Sequence, residues 1–205
     1  MVAAMDFFYE FASSYSYVTA LRIAPLAAAA GVTVRWRPFL LGPIFKAQGW
    51  TTSPFNLYPE KGRYMWRDLE RLCADLDVPF QRPDPFPQNS LLAARVALAG
   101  LDQSWGEAFC VAVFRAQFGH GRRIDDAAVI GDLIARLHID PQPVLAAAGS
   151  DAIKQRLRAQ TDEAQRLGLF GAPSFITADG ELFWGNDRLE AALRWARRSR
   201  AGSSQ

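Results

Sequence analysis

Apolar and polar positions divide the chain into a β-rich start, a long helical middle and a β-rich finish. Residues 5–11 (Met-Asp-Phe-Phe-Tyr-Glu-Phe) form an aromatic-rich run that predicts a central strand, and Ser13 or Ser14 can cap the helix behind it. Val18, Leu21, Ile23 and Leu26 continue that helix. Pro25 inside it predicts a kink between Thr19 and Leu26, and Gly31 ends it. Residues 32–38 (Val-Thr-Val-Arg-Trp-Arg-Pro) alternate as a second strand, so the start reads as a β-α-β unit with a parallel pair.

Residues 42–60, rich in Gly, Pro, Ser and Thr, predict a long loop with a short helical turn. From Lys61 the period becomes helical, with Tyr64, Leu69, Leu72, Cys73 and Leu76 as the buried stripe and Val78-Pro79 as its stop. Pro79, Pro83, Pro85 and Pro87 predict an extended connector. Helices are expected at 89–101, 103–119, 125–137, 141–148 and 150–168, the last burying Ile153, Leu157, Ala164 and Leu167. Residues 171–176 lead into a strand, Asp179-Gly180 turns the chain, and 181–184 form its partner before a closing helix over 187–196. Neither β-rich end can bury a sheet alone. Together they predict an α/β fold with one four-stranded sheet, built β-α-β … β-β-α, and a large all-α insertion. The expected division is residues 1–41 with 169–205 as one domain and 42–168 as the inserted helical domain.

At 205 residues the chain is long enough for one well-buried unit carrying an insertion. Half of the residues are apolar and the formal charge is +2, with Lys and Arg spread among Asp and Glu, which argues against a nucleic-acid partner. Arg194, Arg197, Arg198 and Arg200 read as a solvated last helical turn. Cys73 and Cys110 fall within apolar helical segments, as expected of reduced core residues. No apolar run approaches membrane-spanning length and the start lacks a secretory pattern, so the expected location is cytoplasmic, with no membrane partner. His120 and His138 have no Cys or carboxylate at ligand spacing, and no metal site is expected.

The strand-to-helix junction carries Ser13-Ser14-Tyr15-Ser16, where a thioredoxin-type redox protein has Cys-x-x-Cys. Hydroxyls in place of both sulfurs rule out disulfide exchange there, so sulfur chemistry needs an external thiol. Ser13 places a hydroxyl beside the unpaired N–H groups and positive end of a helix, a setting that stabilises a thiolate. On the residues alone, Ser13 also fits a plain helix cap. Ser16, one turn on, can bond back to the helix backbone.

Three segments carry a resemblance: residues 6–17 (Asp-Phe-Phe-Tyr-Glu-Phe-Ala-Ser-Ser-Tyr-Ser-Tyr), 170–175 (Phe-Gly-Ala-Pro-Ser-Phe) and 183–189 (Phe-Trp-Gly-Asn-Asp-Arg-Leu). With them the chain resembles the 2-hydroxychromene-2-carboxylate isomerases, relatives of kappa-class glutathione transferases with a DsbA-type thioredoxin fold. The resemblance implies glutathione as cofactor, with Ser13 as the catalytic donor to its sulfur. Pro173 would then be the cis-proline of the fold, presenting the Ala172 backbone to the tripeptide, whereas an isolated loop proline would be trans. Trp184, Gly185, Asn186 and Asp187 would hold the γ-glutamyl end, Asp187 facing its ammonium group, and Asn186 or Asp187 also suits a helix cap. Lys46 and Asn56 match positions that contact an aromatic carboxylate substrate. Leu57 stands where the family often has Arg, a departure that bears on the substrate. Lys61, Tyr64 and Asp68 share a helix face that either edges the cleft or is solvated. Trp36, Phe39, Trp50 and Phe86 are pocket candidates or core. The implied reaction is cis–trans isomerisation of 2-hydroxychromene-2-carboxylate in aromatic-ring degradation, by a homodimer. A kappa-like transferase and a non-catalytic thiol- or peptide-binding module are the alternatives.

Overall fold

The computed structural model of the chain describes residues 3–202, and side chains as far as Arg198. Arg200 of the basic last turn therefore lies outside the described side chains. Strand β1 (Ala3–Tyr9), helix α1 (Ser14–Ala30) and strand β2 (Val32–Pro38) form the β-α-β unit, the strands running parallel from Ala3 beside Val32 to Tyr9 beside Pro38. Strands β3 (Ser174–Thr177) and β4 (Leu182–Trp184) complete a sheet of order β2-β1-β3-β4, with β3 antiparallel to β1 and β4 antiparallel to β3. This is the expected thioredoxin-like frame. Between its halves come α2 (Leu41–Ala47), α3 (Pro54–Leu57), α4 (Pro59–Asp75), α5 (Leu91–Leu101), α6 (Gly106–Phe114), α7 (Ala127–Ala135), α8 (Pro141–Ala148) and α9 (Asp151–Arg166). A 3₁₀ turn at Asn186–Arg188 leads into the closing helix α10 (Leu189–Gly202).

Strand β1 is buried on both faces, and its aromatic side chains make it the axis of packing. Phe7 lies edge-on to Trp36, centroids 5.0 Å apart, and stacks on Phe175 at 5.6 Å. Its own side of the sheet merges with α1, α4, α5, α6 and α10 into one apolar core. Phe8, on the other side, packs with Phe39, Ile44, Ala164, Leu169 and Ile176 beneath α2 and α9. Within the larger core the Tyr9 hydroxyl and the Cys110 thiol lie 3.0 Å apart. Both cysteines are free and buried. Among the described residues no helix is long and apolar enough to cross a membrane, and no group of three or more His, Cys, Asp or Glu could hold a metal.

Several expectations need correction. Strand β1 ends at Tyr9 rather than 11, because residues 10–12 turn out of the ladder and the Ser13 N–H closes that turn on the Glu10 carbonyl at 2.9 Å. Residues 42–60 contain most of α2, all of α3 and the start of α4; Pro54 and Pro59 occupy first-turn positions of the latter two, where a missing N–H costs nothing. Helix α4 buries Gly62, Met65, Leu69 and Cys73, leaving Tyr64 63% and Leu76 38% exposed, so its apolar stripe is rotated from the expected one. Helix α9 buries Leu157, Thr161 and Ala164, with Ile153 and Leu167 half-buried. The 103–119 segment ends in a π-helical turn, Arg115–Gly119. As expected, Pro25 sits inside a single helix α1 that Gly31 closes at φ 64°.

Candidate active site

Three segments distant in sequence meet at the N-terminus of α1. Ser13 has extended geometry (φ −83°, ψ 115°), and its oxygen accepts the Ser16 N–H at 3.3 Å, so Ser13 rather than Ser14 is the cap. The same hydroxyl donates to the Ala172 carbonyl at 2.9 Å, across 159 residues of sequence. Ala172–Pro173 is a cis peptide, as the resemblance implied. The Pro173 carbonyl in turn accepts the Gly185 N–H at 2.9 Å, which ties the outlet of β4 to the same loop. Next in the chain, buried Asn186 directs its amide oxygen back to α1, accepting from Thr19 Oγ1 at 3.1 Å and Arg22 Nη1 at 3.3 Å. Ser13, Ala172, Pro173, Gly185 and Asn186 thus form a circuit of hydrogen bonds and peptide links that α1 closes between Ser13 and Thr19.

The surface over this circuit is mixed. Ser13 is 9% exposed at its floor, Ala172 is half-buried, and Trp184 and Phe170 are exposed with ring centroids 4.8 Å apart. Gly171 lets Trp184 lie there: a Cβ at that position would fall 2.4 Å from the indole nitrogen. Asp187 extends its carboxylate into solvent, 73% exposed and 3.4 Å from the Arg188 guanidinium. Gly185 holds φ 113°, and a Cβ there would sit 2.6 Å from Asp187 Oδ1. Neither Asn186 nor Asp187 makes a side-chain cap; Asn186 spends its oxygen on α1 instead. Chemically, the α1 terminus offers the first-turn N–H groups of Ser14 and Tyr15, which have no intrahelical partner, and one hydroxyl that can turn its proton from Ala172 toward an anion.

Among the described residues, none of the remaining candidate side chains hydrogen-bonds to this circuit. Lys46 is exposed in the last turn of α2 and makes no hydrogen bond or ion pair among the described residues. Asn56 donates its amide to the Phe86 carbonyl at 3.1 Å and to Thr52 at 3.3 Å, pinning α3 to the proline connector. Asp68 accepts from Tyr15 at 3.0 Å and pairs with Arg71, and Lys61 lies over the Tyr58 ring. Trp36 and Phe39 are core residues, whereas Trp50 packs on Phe45 and Phe86 on Trp66, both half-buried. Ser16, expected to bond back to its helix, is fully buried with its hydroxyl unpartnered.

Sequence reasoning passed over Glu10. The residue is buried, and its carboxyl takes hydrogen bonds from the Ser90 hydroxyl and from the N–H groups of Phe11 and Ala12. Burial outweighs these donors and raises its pKa from 4.5 to about 7. A lone carboxylate inside the run Phe7-Phe8-Tyr9-Glu10-Phe11 was the available signal.

A DSBA-like thioredoxin domain model matches residues 4–194. A 2-hydroxychromene-2-carboxylate isomerase from Sphingobium xenophagum is 30% identical over 93% of this chain and 96% of its own. The Homo sapiens glutathione S-transferase kappa 1 is 26% identical over 91% of this chain and 87% of its own. Among solved structures, a selenomethionine 2-hydroxychromene-2-carboxylate isomerase superposes with a TM-score of 0.85 at 27% identity, covering 98% of this chain and all of that one. The chain is an enzyme that belongs to the DSBA-like thioredoxin domain family and, within it, to the 2-hydroxychromene-2-carboxylate isomerase family.

Proposed function

We propose that the enzyme is a glutathione-dependent isomerase interconverting 2-hydroxychromene-2-carboxylate and trans-o-hydroxybenzylidenepyruvate. The observation that supports this most is the Ser13 hydroxyl, 2.9 Å from the Ala172 carbonyl at the N-terminus of α1. The residues fit glutathione: a hydroxyl and free N–H groups for a thiolate, a half-buried backbone at Ala172 for the peptide, and an exposed carboxylate at Asp187 for the ammonium. Bound glutathione supplies a thiolate whose reversible addition to the conjugated acid frees the locked double bond for rotation. Ser13 would donate its proton to that sulfur, and the α1 terminus would favour the anion. Ala172, Pro173, Trp184, Gly185, Asn186 and Asp187 would orient the tripeptide. Lys46 would hold the substrate carboxylate as a point charge, and Asn56 would contact the substrate. The expected setting is aromatic degradation in the cytoplasm, by a homodimer.

The test is interconversion of the two isomers by purified protein with and without glutathione. Turnover that needs glutathione and leaves it unconsumed supports the proposal. Background rates refute it, and a stable thioether product would instead assign a kappa-like transferase, consistent with the human relative.

A further inference from the structure

A cavity of about 540 Å³ lies outside the circuit at Ser13, between the start of α2, one face of α5 and one face of α9. Its volume is in the ordinary range for small-molecule pockets, about 300–1,000 Å³. Leu40, Pro43, Leu91 and Leu157 give it apolar walls. Its charges are unevenly paired. Lys154 answers Asp151 at 3.1 Å, which leaves Arg95 and Arg158 against the single carboxylate of Asp162, and neither arginine makes an ion pair among the described residues. Arg95 Nε is buried with no hydrogen-bond partner. A buried guanidinium N–H left unmatched is costly, and a carboxylate is the group whose geometry satisfies it.

We propose that this cavity is a second binding site, for a small organic carboxylate with an apolar body. Arg95 meets the anion from α5, Arg158 closes over it from the α9 rim, and the leucines and Pro43 take the apolar part. Ser13, Ala172, Trp184, Asp187, Lys46 and Asn56 do not line it, so the site is separate from the proposed sulfur and substrate positions.

The experiment is calorimetric titration of the glutathione-free full chain with 2-naphthoate, with neutral 2-naphthalenemethanol and inorganic sulfate as controls. Saturable naphthoate binding is expected, weakened about tenfold or more by R95Q or R158Q and retained in S13A and K46Q. Arg158 is exposed, so R158Q keeps the test open should R95Q fail to fold. No saturable binding overturns the proposal. So do equal affinity for the alcohol or for sulfate, indifference to both arginine variants, or loss of binding in S13A or K46Q. Because the last outcome would move the ligand to the proposed sulfur or substrate positions, failure here is distinguishable from failure of the isomerase reading.

Discussion

Replacing Glu10 by glutamine should make the protein relatively more stable as the pH rises. In the folded chain burial lifts this carboxyl from 4.5 to about 7, against the donors Ser90, Ala12 and Phe11. The folded state therefore holds a proton that the unfolded chain has released above about pH 4.5, so its stability contribution is complete below that pH and is lost as pH climbs through 7. A difference of about two and a half pH units, at about 1.4 kcal/mol each, amounts to about 3 kcal/mol. Urea unfolding of wild type and E10Q at pH 4.5, 6, 7 and 8.5 measures it. The wild type should lose ground to E10Q by about 3 kcal/mol across the series, with most of the change between pH 5 and 7.5. S90A, which removes a donor that favours the ionised form, should push the midpoint of the change higher. A stability gap between wild type and E10Q that does not vary with pH would refute the reasoning.

Other consequences are measurable. Ser13→Ala removes both the proposed thiolate donor and the α1 cap, so kcat/KM with glutathione should fall about 10- to 100-fold and stability by about 1 kcal/mol; a variant with full activity would sink the role. Asp187→Asn should raise the KM for glutathione about two- to fivefold with kcat unchanged, because the carboxylate is well exposed and an ion pair there is screened. Burial pushes Cys73 up to about 11 and Cys110 up to about 12, so native protein at pH 8 should resist Ellman's reagent until urea unfolds it, and rapid labelling would contradict the buried placement.

The frame of the fold was legible because its signals are local. The alternation of residues 32–38, the Gly31 stop and the Asp179-Gly180 turn each specify an element without help from distant contacts. The α4 stripe was not, because Tyr64 and Met65 are adjacent and either can anchor a helical period; only packing against Ser14, whose hydroxyl donates to Met65 Sδ at 3.1 Å, decides between them. Pro54 and Pro59 looked like loop punctuation but start helices. At the site, Ser13 and the segments around Pro173 and Asp187 could be picked out from residue type and resemblance. What escaped was the inward use of side chains: Asn186 held by Thr19 and Arg22, and Glu10 held by Ser90. Such partners are 80 residues apart or more, and nothing in their spacing announces them.

The attachment of Asn186 to Thr19 gives α1 the character of a caliper. Thr19 stands six residues beyond Ser13, about 9 Å of helical rise. One jaw is the serine at the helix tip and the other is the strand outlet bearing Asp187, clamped to the same rigid rod. Their opening is set by backbone geometry that a side-chain change on the rim leaves intact. On the proposed reading, a mercaptan too short to span from one jaw to the other gains a single foothold, and length becomes a criterion of choice before any reaction begins.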